Sequence, residues 1–425
     1  MQLANDIPRL RSNFIKVVMP ILAFVLGLNL PRSFSLLTLI CAGGLAAWRA
    51  DLPRLRRHPV VGWPILLLIG FGLIYSIRQL QLEVWIWNGK TLADAATFTV
   101  LPSACLALGW LWRQHRQDLR SGQGLVAAFA IGGLVYVSLA LLLSRQPWWN
   151  PAEIFPSGIT VPWGDQGMAG QNVRSVEQRA YAALAFLPVV PWLLWSRTAG
   201  WLIKALASLG LGAWAAYAIW SLNSPKLMAC VLCLALLPCL LMLPSRRASW
   251  LALAGVVSIT VWLVQAKRLC DERWPMQLAF ITQIHGHPWG GRQIRFDFEG
   301  CPGQGSMTFA PPPSSIHLPH NIFLDQVNDV GLIPALLLLA ACSLLLMVLL
   351  QRFFRVLRRG SWHPGLALCW SVLCCILTQA MFQPFLYSDR LLFCLTFVFT
   401  GAMLAEFSAD SNDCQAPLDF RALHR

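Results

Sequence analysis

Long apolar runs separated by short polar segments recur along almost the whole chain. Twelve of these runs approach the roughly 17 to 25 residues that a helix needs to cross the hydrocarbon core of a bilayer. They lie near positions 14–30, 33–48, 60–77, 93–112, 124–144, 180–196, 201–221, 226–243, 248–266, 331–351, 364–383 and 391–407. The pattern predicts an all-α, polytopic membrane protein with about 12 transmembrane helices.

Composition and charge agree with this prediction. Of the 425 residues, 56% are hydrophobic and only 12% are charged, whereas a soluble domain carries roughly 25% charged residues. With the N-terminus on the inner face, the predicted inner segments hold 20 of the 33 basic residues but only 7 of the 19 acidic ones. This asymmetry follows the positive-inside rule. The net charge of +14 is therefore explained by the basic residues of the predicted inner segments, and a nucleic-acid partner is not implied.

The same topology predicts that both termini are cytoplasmic. The first apolar run follows Arg9, Arg11 and Lys16, but no small-x-small cleavage site comes after it. We therefore interpret this run as an uncleaved membrane anchor.

Two predicted outer segments are long, at about 145–179 and about 267–330. Long loops on a compact scaffold often carry function. We divide the chain into residues 1–266 with the first nine helices, 267–330 as a large outer loop domain, 331–407 with the last three helices, and 408–425 as a cytoplasmic tail.

The large outer loop combines several structural signals. We predict an amphipathic helix near 272–285, a glycine-rich turn at 290–291, an irregular or short-strand stretch, and a helix that begins near His320 and leads toward the membrane. Cys270 and Cys301 also lie in this loop. An oxidising compartment would let these two cysteines form a disulfide.

Most other cysteines lie in or beside apolar runs. A thiol in such a position is usually a small buried hydrophobe. We interpret Cys230 and Cys233 in this way, although their spacing is also found in metal and redox sites.

Basic residues of the outer loops and adjoining helix ends are candidates for an anion site. They are Arg174, Arg179, Lys226, Arg268, Arg273, Arg292, Arg295 and Arg390. Guanidinium groups bind phosphate oxygens bidentately, so such a set suits a phosphate-rich lipid. Alternatively, each cation pairs with an outer acidic residue or a lipid headgroup, and the residues alone leave both interpretations open.

Four of the eight histidines lie in the large outer loop, namely His285, His287, His317 and His320. Together with Asp325 they could form a metal site, but their spacing matches no specific zinc signature. They could also be ordinary polar loop residues. His320 stands apart, because Pro319 restricts the chain just before a predicted helix start. An imidazole near a helix N-terminus tends to stay neutral, as a general base must.

Two motifs of this loop resemble the signature of the O-antigen ligase and polymerase superfamily. Pro288-Trp289-Gly290-Gly291 is similar to the Pro-x-x-Gly-x-Gly of that family. His320-Asn321, followed by Val330-Gly331-Leu332, is similar to the family's His-Asn pair and to the glycine that opens a membrane helix. Arg273 matches the arginine that opens an amphipathic helix in the family's loop. The predicted spans and the single dominant loop also resemble the family's architecture.

One position departs from the family pattern. Members carry an arginine, commonly after Ser or Thr, at the outer end of the helix that begins here near 226. This chain has Lys226 there, which keeps the cation but loses the bidentate fork.

The resemblance implies a metal-independent glycosyltransferase of the GT-C type with no cofactor, and most specifically an O-antigen ligase. Such an enzyme lies in a bacterial inner membrane with its active site facing the periplasm. It moves a polysaccharide from undecaprenyl diphosphate to a sugar hydroxyl of the lipid A core. The resemblance implies His320 as the base, Asn321 as its support, Arg273 and Lys226 as diphosphate ligands, and Arg179 and Arg390 as further members of the anion site.

Three alternatives stay open. An O-antigen polymerase uses the same donor with a second lipid-linked glycan as acceptor, and a protein O-oligosaccharyltransferase uses the same donor with a protein acceptor. A lipid flippase or transporter belongs to a different class and would also need a cationic cavity. It would not need a histidine on a long outer loop.

Overall fold

The computed structural model describes residues 59–82, 101–110, 273–301, 316–359 and 396–405, parts of 18–28, 128–138, 202–258 and 303–314, and residues 381 and 393. These residues are mostly helical. The elements used below are α1 (Pro59–Leu82), α2 (Leu101–Trp110), α3 (Arg273–Gln283), β1 (Phe296–Glu299), β2 (Ser306–Phe309), α4 (Ile322–Val330), α5 (Leu332–Arg359) and α6 (Thr396–Ala405).

Helices α1 and α5 are long and apolar enough to cross a membrane. They pack against each other in opposite directions. Arg78, near the end of α1, bonds to the carbonyl of Val330 just before α5 begins, whereas Gly70 contacts Leu337 further along α5. Opposite directions are what the predicted topology requires of the third and tenth spans.

Close backbone contacts through glycine join other predicted spans. A side chain at Gly109 in α2 would collide with the backbone of Val398 in α6, and one at Gly27 would collide with the backbone of Phe129. Small residues that let backbones approach are typical of helix contacts in membranes. The runs near 33–48, 180–196 and 226–243 lie outside the described residues, so the number of twelve spans stays a prediction.

The outer loop has a small hydrophobic core of its own. Strands β1 and β2 form an antiparallel hairpin in which Phe296 pairs with Phe309. The two rings stack with their centroids 5.0 Å apart. Phe280 of α3 meets Phe309 edge to face at 5.5 Å, and Val327 of α4 belongs to the same cluster. Aromatic packing of this kind holds α3, the hairpin and α4 together.

The local predictions for this loop are confirmed. Helix α3 covers Arg273–Gln283, and a short 3₁₀ turn follows it. Gly290 and Gly291 have φ of +76° and +89°, as a glycine turn requires. The predicted strand stretch is the hairpin, and α4 begins two residues after His320.

Helix α1 differs from its prediction by running to Leu82 rather than 77. The extra turn contains the polar residues Arg78, Gln79 and Gln81, so an apolar pattern alone could not reveal it. Arg78 reaches the loop by hydrogen bonds, and Leu82 lies against Gly291.

Candidate functional site

The two motif segments of the outer loop lie side by side. The Leu332 N–H donates to the Pro288 carbonyl at 2.8 Å, and the Gly291 N–H donates to the Asp329 carbonyl at 2.9 Å. These main-chain bonds hold the turn at 288–291 across the junction between α4 and α5.

Glycine is required on both sides of this contact. Gly290 has φ of +76° and Gly331 has φ of +103°, values that residues with a side chain rarely adopt. A Cβ atom on Gly290 would lie 2.5 Å from the Gly331 nitrogen, and one on Gly331 would lie 2.9 Å from the Pro288 oxygen. Glycine at both positions therefore allows the two motif segments to approach each other closely.

Arg78 fastens this junction to α1. Its Nη2 atom donates to the Trp289 carbonyl at 2.5 Å, and its Nε atom donates to the Val330 carbonyl at 3.3 Å. The guanidinium also lies 5.8 Å from the centre of the Trp289 ring, within cation–π range. One side chain thus contacts both motif segments.

His320 lies directly before α4 and has a left-handed backbone, with φ of +56°. The residue as a whole is partly exposed, while its Nδ1 atom is buried. Asn321 is the N-cap of α4, because its Oδ1 atom accepts the N–H groups of Phe323 at 3.0 Å and Leu324 at 3.3 Å. Asn321 therefore caps the helix, and His320 is the residue directly before that cap.

Gln277 of α3 joins the His320 segment to two other parts of the molecule. Its Nε2 atom donates to the carbonyls of Pro319 at 3.3 Å, His320 at 3.3 Å and Met381 at 2.9 Å. The Nδ2 atom of Asn321 approaches the same Met381 carbonyl at 3.4 Å. Met381 lies near the end of the predicted apolar run at 364–383.

Two fully buried carboxyl groups lie one turn apart on α4. Asp329 accepts a hydrogen bond from Arg292 Nε at 2.7 Å. Burial raises the pKa of Asp329, while the charge and hydrogen bond of Arg292, and then the charge of His317, lower it. The ion pair therefore opposes the desolvation of this carboxylate.

Asp325 has no such ion-pair partner among the described residues. Burial raises its pKa well above the usual value of 3.8, and the neighbouring charge of Asp329 raises it further. The backbone N–H groups of Asn321 and His320, and then the charge of Arg292, lower it. Relative to the unfolded chain, the folded protein thus shifts Asp325 toward its protonated form.

Arg273 and Cys301 are two further predicted site residues that the structure describes. Arg273 is the first residue of α3, as the resemblance implied, and it lies one turn from Gln277 on the same face of the helix. Cys301 is buried and disulfide-bonded. The remaining predicted residues, which lie outside the described part of the chain, are Lys226, Arg179, Arg390 and Cys270.

The other loop histidines differ from His320 in their surroundings. His285 is exposed on the turn after α3, and His287 is partly exposed. His317 makes two contacts of its own. Its Nδ1 atom lies 2.8 Å from the Ser314 carbonyl, and its own carbonyl accepts a hydrogen bond from Asn328. His317 therefore fixes the chain three residues before His320, a role that sequence reasoning did not assign.

Gln277, Asp325 and Arg78 are functional-site neighbours that sequence reasoning missed in their present roles. Gln277 offered one usable signal, since it is a polar residue on the apolar face of an amphipathic helix, beside Met276. Asp325 was considered only as a metal ligand, and Arg78 was not among the candidate site residues.

Within the described residues, no group of three or more His, Cys, Asp or Glu side chains is arranged to hold a metal ion. Metal independence stays a prediction for the whole chain. No protein-family model matches this sequence, and a search of curated proteins finds no significant match.

Proposed function

We propose that this protein is a lipid-linked glycan transferase, and specifically an O-antigen ligase that joins a polysaccharide to the lipid A core. The donor is a glycan on undecaprenyl diphosphate, and the acceptor is a sugar hydroxyl. The proposal places the reaction on the periplasmic face of a bacterial inner membrane. It rests on the resemblance of the two loop motifs to the ligase and polymerase superfamily.

The observation that carries the proposal is that the two motif segments contact each other in the folded chain. The turn at 288–291 is hydrogen-bonded across the α4–α5 junction, and glycines on both sides permit that contact. The His320-Asn321 pair begins the helix that leads into the junction. Segments that lie far apart in the sequence therefore belong to one structural unit, as expected if they serve one site.

The chemistry needs few groups. A diphosphate is a good leaving group once its growing negative charge is neutralised, so cationic side chains suffice for that step. In the proposed mechanism Arg273 and Lys226 bind the diphosphate, with Arg179 and Arg390 at its periphery. His320 accepts the proton of the acceptor hydroxyl as that oxygen attacks the anomeric carbon and the bond to the diphosphate breaks.

The arrangement of α3 supports this division of roles. Arg273 and Gln277 share one face of α3, and Gln277 bonds directly to the carbonyl of His320. One helix thus carries a cation for the donor and a side chain that contacts the base. A flippase has no need of a base held by a helix that also carries a cation.

A strain that lacks the gene tests the proposal and separates it from its neighbours in the same class. We expect full-length polysaccharide to accumulate on undecaprenyl diphosphate while the lipid A core stays bare, with the native gene restoring transfer. Single repeat units on the core would instead indicate the polymerase. An unchanged lipopolysaccharide with an unglycosylated protein would indicate the protein oligosaccharyltransferase.

A further inference from the structure

Gln277 is a buried polar residue on an otherwise apolar surface. Its side chain is only 6% exposed, between Met276 and Phe280. Burial of an amide costs free energy unless the amide is hydrogen-bonded, whereas leucine or methionine would pack here without that cost. The hydrogen bonds of Gln277, rather than its volume, therefore explain its presence.

The hydrogen bonds of Gln277 go to the main-chain carbonyls of two separate segments. A single amide nitrogen with two N–H groups faces the carbonyl oxygens of Pro319, His320 and Met381. The carbonyl of Pro319 belongs to the peptide plane before the His320 Cα atom, and the carbonyl of His320 belongs to the plane after it. Orientation of the first plane is set by φ of His320, and orientation of the second by ψ. Holding both planes fixes the direction in which the imidazole leaves the backbone.

His320 needs such support from its surroundings. A non-glycine residue with φ of +56° is strained and persists only where neighbouring structure determines it. The third bond of Gln277, to Met381, ties the whole arrangement to a separate segment of the chain.

We propose that Gln277 is a positioning residue, which sets the orientation of His320 by binding the carbonyls on both sides of it. This inference rests on the proposed role of His320 as the base. It goes beyond that role by assigning the strained geometry of the base to a side chain on another helix.

The test uses the purified full-length protein with undecaprenyl-diphosphate-linked glycan and lipid A core. Gln277→Met keeps the side-chain length and removes the donor. We expect kcat to fall about 10- to 100-fold, because a small misplacement of a reacting group has effects of that size. The KM for the donor should stay within about twofold, since Gln277 binds no substrate.

The matched control is Gln283→Met on the same helix. Gln283 is exposed, and its Nε2 atom donates a long hydrogen bond of 3.5 Å to the Thr282 hydroxyl. This variant should keep the wild-type kcat. Gln277→Met combined with His320→Ala should be no slower than His320→Ala alone, because a residue that acts through His320 has nothing left to position.

Hydrogen exchange of the peptide covering 317–324 gives a readout that does not depend on transfer. We expect faster exchange in Gln277→Met than in wild type and no change in Gln283→Met. Wild-type kcat in Gln277→Met, with His320→Ala inactive, would overturn the positioning role and leave the proposed function intact. If the wild-type protein transfers no glycan, the proposed function fails, and unchanged exchange in Gln277→Met would then reject the positioning role separately.

Discussion

At the scale of single residues, the close contact between Gly290 and Gly331 leaves no room for a side chain at either position. Gly290→Ala adds a Cβ atom 2.5 Å from the Gly331 nitrogen at a φ of +76°. We expect a loss of roughly 2 to 4 kcal/mol in unfolding free energy, which combines backbone strain with a steric clash. Thermal unfolding in detergent measures it.

Gly303 provides a control matched in backbone conformation. It has φ of +93°, but no atom of the described residues lies within 4 Å of the position that its Cβ would occupy. Gly303→Ala should therefore cost only the backbone strain of about 1 to 2 kcal/mol. Equal destabilisation by the two variants would mean that the packing of the turn at 288–291 against Gly331 is unimportant.

Asp325 predicts a pH dependence of stability. Because its folded-state pKa is raised above the usual 3.8, the folded protein keeps a proton that the unfolded chain releases as pH rises. Its contribution to stability is therefore greatest at or below that value and falls as pH rises toward the raised pKa. Asp325→Asn is nearly isosteric and cannot ionise, so it should flatten this part of the profile.

The measurement is the unfolding temperature of both proteins between pH 4 and pH 8. The two should agree near pH 4, and the Asn variant should become the more stable one toward pH 8. Asp297→Asn, which removes an exposed carboxylate from β1, controls for the loss of one negative charge. A constant deficit of Asp325→Asn at every pH would contradict this account of the buried carboxyl group.

At the scale of secondary-structure elements, the hairpin and α3 are joined at their ends by a predicted disulfide. Cys301 follows β1 and is disulfide-bonded, and Cys270 lies three residues before α3. Closing a loop of about 30 residues contributes roughly 3 to 4 kcal/mol in the chain-entropy model. Mass spectrometry of unreduced digests should recover the peptides of Cys270 and Cys301 as one species.

Reduction should lower the unfolding temperature of the wild type but not that of a Cys270→Ala, Cys301→Ala double variant. Recovery of Cys301 linked to a different cysteine would refute the predicted pairing.

Local elements of the outer loop were predictable because their signals lie within a few neighbouring residues. The apolar spacing after Arg273 predicts α3, the pair Gly290-Gly291 predicts a turn, and Pro319 before an apolar segment predicts the start of α4. The break at Gly331 between α4 and α5 was also indicated by its glycine. These signals fix where elements begin and end, but not which elements touch.

At the scale of the whole molecule, the contacts of the candidate site were out of reach of sequence reasoning. Arg78 and Trp289 are far apart in the chain, and neither has a local pattern that identifies the other as its partner. The hydrogen bond from Gln277 to Met381 likewise joins residues that are far apart in the chain. The resemblance to a family selected His320 and Arg273, whereas packing between distant helices determines what surrounds them.

The most direct test of the central claim is transfer of glycan by purified protein with and without His320. General-base assistance typically contributes about 10² to 10⁴ in rate, so His320→Ala should lose transfer by that factor while keeping its fold and its donor binding. His285→Ala, His287→Ala and His317→Ala should be much milder. Loss shared by all four variants and produced by a chelator would point to a metal site instead. A well-folded His320→Ala protein that transfers glycan at the wild-type rate would contradict the account.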